Sequence, residues 1–254
     1  MPRHTPLRLA AVCALALLLV ASTAASAAAS TGAKVAKVTA DLRVVGGGGK
    51  QLVEETLKTG TTSVPTSRKA TCFGKGTAGS GKKATIKGAT ALGLLGQAAQ
   101  TAGSLRPLLL TDAFDFGLGI CGVGGYKATA KLSWYLKVDH KNPELGGDAV
   151  KLKTGDEVLW ALEPYPYPNE LSLVGPEEAT AGVPFEVRVF SYNDKGKRKP
   201  AVGATVTGGQ APTDAEGRTT VVLNDPAILT AIHGKDIPSN QVFVHCVSGK
   251  CLVS

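Results

Sequence analysis

Residues 164–168 read Pro-Tyr-Pro-Tyr-Pro, and no other feature constrains the fold of this chain as strongly. Alternating prolines remove backbone donors and fix φ, so neither a helix nor a central strand can run through them. The segment is expected to be a semi-rigid linker with its tyrosines packed on the adjoining parts. It divides the chain into 30–163 and 169–254, each long enough for one small domain.

The N-terminus sets the compartment. Arg3 and Arg8 precede an unbroken apolar run from Leu9 to Val20. Small residues follow, with Ala25-Ser26-Ala27 and Ala27-Ala28-Ala29 both fitting an A-x-A cleavage site. Charge, apolar run and small residues in that order predict a cleavable signal peptide over 1–29. The run is short of the ~20 residues a spanning helix needs, so no membrane span is expected in the mature chain. Removing Arg3 and Arg8 leaves 26 basic against 20 acidic residues, a net charge of +6. The basic residues are dispersed apart from Lys195-Gly196-Lys197-Arg198-Lys199, which lies in an expected hairpin turn without interleaved aromatics. No nucleic-acid partner is therefore expected, and an unknown extracellular ligand or an anionic cell-surface polymer is the expected partner.

Cleavage also leaves an even cysteine count: Cys72, Cys121, Cys246 and Cys251. In an oxidising compartment this suggests two disulfides. Three pairings are open. Cys72–Cys121 with Cys246–Cys251 is favoured because each bridge then stays on one side of the proline segment. The competing metal site is weak, since Cys72 and Cys121 stand alone and only His245-Cys246 places two donors together.

In the first half, Val38, Ala40, Leu42 and Val44 alternate as in a strand, and Leu52 to Val64 reads as a second strand ending at Gly60. Lys69 to Lys83 is a Gly- and Lys-rich loop. Thr90 to Thr101 has helical apolar spacing with Gly103 after its last turn. Arg106 to Asp112 is extended, Lys127 to Val138 is a strand holding Trp134 and Tyr135, and Glu157 to Leu162 is another, holding Trp160. One helix among strands makes this half α+β. In the second half, Leu171 to Leu173, Phe185 to Phe190, Thr205 to Thr207, Arg218 to Leu223 and Val242 to Val244 are short strands. Turn sequences separate them, as in a β-sandwich.

Two stretches carry resemblances. KATAKLSWYLKV (127–138), Asp139-His140 and LKTGDEVLWAL (152–162) resemble the bacterial domain-of-unknown-function family classed with the transcobalamin C-terminal domain. That family has an aromatic-pair strand, a turn that usually holds Asn where Asp139 stands, and a closing L-x-x-GD-x-V-x-W hairpin. ATALGLLGQAA (89–99) and TDAFDFGLGICGVGGY (111–126) fit in position. The resemblance covers about 35–165 and implies a β-grasp-like fold, with cobalamin or another tetrapyrrole as the ligand class to consider. The second half, through AGVPFEVRVF and GATVTGGQAPTDAEGR, resembles bacterial Ig-like modules, which serve as spacers or adhesive units. The pair resembles exported actinobacterial proteins.

Motifs for catalysis are weak. Gly76 to Lys83 nearly spells a phosphate loop but has Lys83 where Ser or Thr should hold magnesium, so it reads as a flexible loop. Gly117-Leu118-Gly119-Ile120-Cys121-Gly122 fits G-x-G-x-x-G but precedes strand patterning, so it reads as close backbone packing. His140, His233 and His245 have no nucleophile elbow near them, and Asp139-His140 on a strand would face opposite ways. No catalytic, cofactor-binding or metal-ligating residue is expected, and the chain reads as non-enzymatic. Two readings follow. One is an exported interaction or structural protein. The other is a small-molecule binder using Trp134, Tyr135 and Trp160 with the Gly117 to Tyr126 segment.

Overall fold

The computed structural model describes residues 37–247. The expected signal peptide and Cys251 lie outside the described residues, and with Cys251 the expected Cys246–Cys251 bridge. The described chain is mostly β, with a single α-helix. Among the described residues no helix is long and apolar enough to cross a membrane.

The first half contains β1 (Val38–Gly46), β2 (Lys50–Thr59), β3 (Thr62–Pro65), β4 (Lys83–Ile86), α1 (Ala91–Thr101), β5 (Leu109–Phe114), β6 (Gly117–Val123), β7 (Tyr126–Lys127), β8 (Leu132–Val138) and β9 (Glu157–Pro164). The main sheet has the order β2-β1-β9-β8, and its two central strands, β1 and β9, are parallel. Two antiparallel hairpin-like pairs flanking a parallel centre, with a helix across one face, is the β-grasp arrangement expected for this half. The helix begins where expected because the Thr90 side chain accepts the Gly93 N–H at 3.0 Å, capping its first turn. Its Leu92, Leu94 and Leu95 are buried against Leu42, Val44, Val158 and Trp160.

The expected strand 127–138 is interrupted. Thr129 closes a turn by accepting the N–H of Leu132, so the segment splits into β7 and β8. Asp139 and His140 are not on a strand either. Both have positive φ (48° and 64°) in a tight turn in which Val138 and Lys141 exchange backbone hydrogen bonds. Strand alternation therefore does not set Asp139 and His140 on opposite faces. Aspartate suits the position for the same reason asparagine does: a short polar side chain tolerates left-handed backbone. Its Oδ1 also accepts the Glu157 N–H at 3.0 Å.

The second half contains β10 (Glu170–Val174), β11 (Glu178–Thr180), β12 (Phe185–Tyr192), β13 (Arg198–Pro200), β14 (Thr205–Val206), β15 (Arg218–Val221), β16 (Ala227–Leu229), β17 (Ala231–Ile232) and β18 (Val242–Val247). β12 pairs with β10, β13 and β15, and β18 with β11 and β16. Leu171, Val187, Val189, Val221, Leu229 and Val244 form its core. The basic cluster 195–199 lies at the β12–β13 turn, where Asn193 Oδ1 accepts the N–H groups of Lys195 and Lys197.

The main sheet is buried on both faces. Ala40, Leu42, Val44, Val158 and Trp160 face the helix, while the alternate residues Val45, Leu159 and Ala161 form a third cluster with Tyr135 and Ile237 of the second half. The proline segment belongs to this seam. Tyr167 stacks on Tyr135 at 4.0 Å between centroids and Tyr165 is exposed. Four polar side chains also meet there. Arg43 pairs with Glu170, Lys137 Nζ lies 3.5 Å from Glu170 Oε2, and His140 Nδ1 lies 3.2 Å from Glu170 Oε1.

Glu163 is a further buried acid on this face, only 9% exposed, in a crevice with Pro164, Pro166, Pro168 and Pro238. Burial pushes its pKa up to about 7 from 4.5. Below pH 4.5 both folded and unfolded chains carry the proton. As pH rises, the unfolded chain ionises first, so stability falls between about 4.5 and 7 by about 3 kcal/mol. Glu163→Gln is expected to remove that slope and to stabilise the chain at pH 8. Thermal unfolding followed from pH 4 to pH 8 checks this, and an unchanged slope in the variant would refute it.

Candidate functional site

Beside α1, at the β8 edge of the main sheet, lies an open cavity of about 800 Å³. Three elements build it. The sheet supplies Trp134 from β8 and Trp160 from β9. The β5–β6 hairpin supplies Phe114, Phe116 and Leu118. The 142–148 loop supplies Leu145 and Asp148.

The two tryptophans are held differently. Trp160 is buried, with Nε1 donating to the Ala91 carbonyl at 3.4 Å. Gly147 lies flat on its ring, where a Cβ would come within 2.6 Å of it. Its role is mainly packing. Trp134 is half-buried against the same core, but its Nε1 is shielded from water and has no hydrogen-bond partner among the described residues. A shielded polar group without a partner costs roughly 1–3 kcal/mol. Indoles usually find an acceptor when buried, and here the ring borders an open cavity.

The outer wall is aromatic. Phe73 packs edge-on against Phe114 at 5.3 Å, and Phe114 stacks with Phe116 at 5.0 Å. Phe116 is 86% exposed and Phe73 52%. Phe73 lies against Gly119, where a Cβ would come within 2.6 Å of its ring. The G-x-G run thus permits close packing, as its sequence context suggests. The disulfide Cys72–Cys121 forms, with a Cα–Cα distance of 5.3 Å, and ties this wall to β6. The Gly- and Lys-rich loop behind Phe73 is anchored rather than free, because Ser80 donates to both Asp112 oxygens at 2.6 Å. These bonds hold the Asp112 carboxyl below its usual range.

Of the other aromatic candidates, Tyr135 reaches the cavity only at the sheet edge. Its ring stacks under Tyr167 and its hydroxyl donates to Asp194. Burial and the Asp194 carboxylate raise the Tyr135 pKa far above its ordinary value. Trp134 and Tyr135 are sequence neighbours on one strand and point to opposite faces. Tyr126 does not line the cavity; its ring lies over Gly46 at the end of β1. Sequence reasoning missed Asp148, the only charged residue lining the cavity among the described residues. Asp148 Oδ2 accepts the Leu118 N–H at 3.1 Å, while Oδ1 is shielded and has no hydrogen-bond partner among the described residues.

The chain matches no protein-family model and has no significant match among curated proteins. Among the described residues no three His, Cys, Asp or Glu side chains are grouped to hold a metal ion.

Proposed function

We propose that this chain is an exported, non-catalytic binding protein that seats a flat, apolar small molecule in the aromatic cavity. The second half holds the β-grasp-like half in place. The observation that carries the reading is Trp134, whose half-buried ring borders a cavity lined mainly by apolar side chains. Drug-sized ligands occupy pockets of roughly 300–1,000 Å³, with mostly apolar walls and a few placed polar groups. Export is supported by the N-terminal pattern and by the disulfide, which belongs to an oxidising compartment.

The resemblance to the transcobalamin C-terminal domain makes a corrinoid or another tetrapyrrole the first family of ligands to try. The cavity suits the face of such a ring. Its lining residues offer no imidazole, thioether or free thiol to a central metal, so stacking and shape would hold the ring.

The neutral dye N-phenyl-1-naphthylamine, which brightens in apolar sites, is expected to bind one per chain. Trp134→Ala is expected to weaken it at least tenfold, with haem and cobalamin tested alongside by absorbance and thermal shift. If neither the dye nor either tetrapyrrole binds, the cavity reading fails and the interaction or spacer reading stands in its place.

A further inference from the structure

Resting on the cavity reading, we infer that the ligand is an organic cation, an amine or quaternary ammonium carried on an apolar or aromatic body, with its positive charge placed by Asp148. Three observations converge. Asp148 is the one charged residue among the described residues that line the cavity, and it is negative in a chain whose overall charge is +8. Its carboxylate is fixed in the wall, with Oδ2 accepting the Leu118 N–H and Oδ1 turned against Gly117 and Gly146 without a hydrogen-bond partner among the described residues. The chain has six Phe, five Tyr and two Trp, and seven of these 13 border this single cavity.

Each observation bears on charge. A carboxylate charge held in the wall of an apolar cavity is costly, and a cation seated in that cavity offsets part of the cost through space. Aromatic faces attract cations through their quadrupoles, more strongly as water is excluded, and cages of aromatic rings are how quaternary ammonium groups are commonly held. An anion would meet the unpaired carboxylate across a low-dielectric gap, where repulsion is large. A neutral apolar ligand gains nothing from the Asp148 charge. The net positive charge of the chain works against long-range attraction of cations, so the preference must come from the cavity itself.

The test uses two dyes on the whole mature protein: berberine, a flat quaternary cation that fluoresces in apolar sites, and neutral N-phenyl-1-naphthylamine. Asp148→Asn keeps an oxygen for the Leu118 N–H and removes the charge. It is expected to weaken berberine at least tenfold while the neutral dye stays within twofold. Asp148→Ser is a second variant with the same expectation, and binding of the neutral dye reports that each variant is folded. The inference is overturned if berberine fails to bind the native protein while the neutral dye binds. It is overturned equally if Asp148→Asn leaves berberine unchanged, or weakens both dyes alike. Failure of both dyes and of both tetrapyrroles on the native protein removes the cavity reading itself.

Discussion

Glu170→Gln is expected to destabilise the chain by about 3–5 kcal/mol, the cost of stranding buried charge. Glu170 is 2% exposed at the start of β10, and three basic side chains converge on it from the other half: Arg43 of β1, Lys137 of β8 and His140 of the following turn. Lys137 is wholly buried. Its Nζ also donates to the carbonyls of Tyr192 and Asn193 at 3.0 and 3.1 Å, but carbonyls do not neutralise it. Burial already lowers the Lys137 pKa, with Glu170 opposing that shift. Glutamine leaves Lys137 and Arg43 buried without their shared counter-charge.

The same carboxylate gives the chain an acid limit. Burial alone would raise the Glu170 pKa, but His140, Arg43 and Lys137 together outweigh it and hold it below 4.5. A carboxyl with a depressed folded pKa contributes stability that is complete above its unfolded value and is lost as pH falls through the folded one. The native chain should therefore lose stability steeply below about pH 4.5, and Glu170→Gln should lose less over the same range. Urea midpoints at pH 7 and at pH 3.5 measure both effects. A loss under 1 kcal/mol at pH 7 would mean that water or rearranged side chains already satisfy the cluster. Replacing Arg43, Lys137 and Glu170 together with methionine is expected to recover most of the loss, because buried ion pairs repay their desolvation poorly.

This cluster marks where sequence reading stops. Periodicity located α1 to within a residue, because helical spacing, Thr90 and Gly103 are all local signals. β1 and β9 were legible as strands, yet Arg43 and Lys137 lie among apolar residues whose partners are far along the chain. Nothing local distinguishes an inward-facing Lys137 from a solvated one. Among the cavity residues, Trp134 and Trp160 were legible as members of one sheet. Asp148 was not: it sits in a loop, and only the closure of that loop over the β5–β6 hairpin brings it to Leu118. That disulfides form was legible from cysteine count and compartment, and Cys72–Cys121 was favoured among three pairings because it stays on one side of the proline segment.

Cys72–Cys121 supplies the second large effect, and it couples stability to the cavity. The bridge spans 49 residues of sequence, and closing a loop of that size is worth about 4 kcal/mol on the chain-entropy model. Changing both cysteines to serine is expected to lower the unfolding free energy by about that amount. The loss should not be confined to the unfolded state. Phe73 follows Cys72 directly and forms the outer wall against Gly119 and Phe114. Without the bridge, the 66–82 loop keeps Ser80 on Asp112 and the Thr66 N–H on the Lys82 carbonyl, but those bonds lie at its far end from Phe73. The wall beside β6 should loosen, and N-phenyl-1-naphthylamine should weaken severalfold at temperatures where the variant is still folded. The packing of Leu171, Val189 and Leu229 in the second half has no contact with the bridge and should persist. A variant that loses about 4 kcal/mol but binds the dye as tightly as the native chain would show that Phe73 is held by its ring contacts alone. A variant with unchanged stability would show that the denatured chain is already closed at this loop.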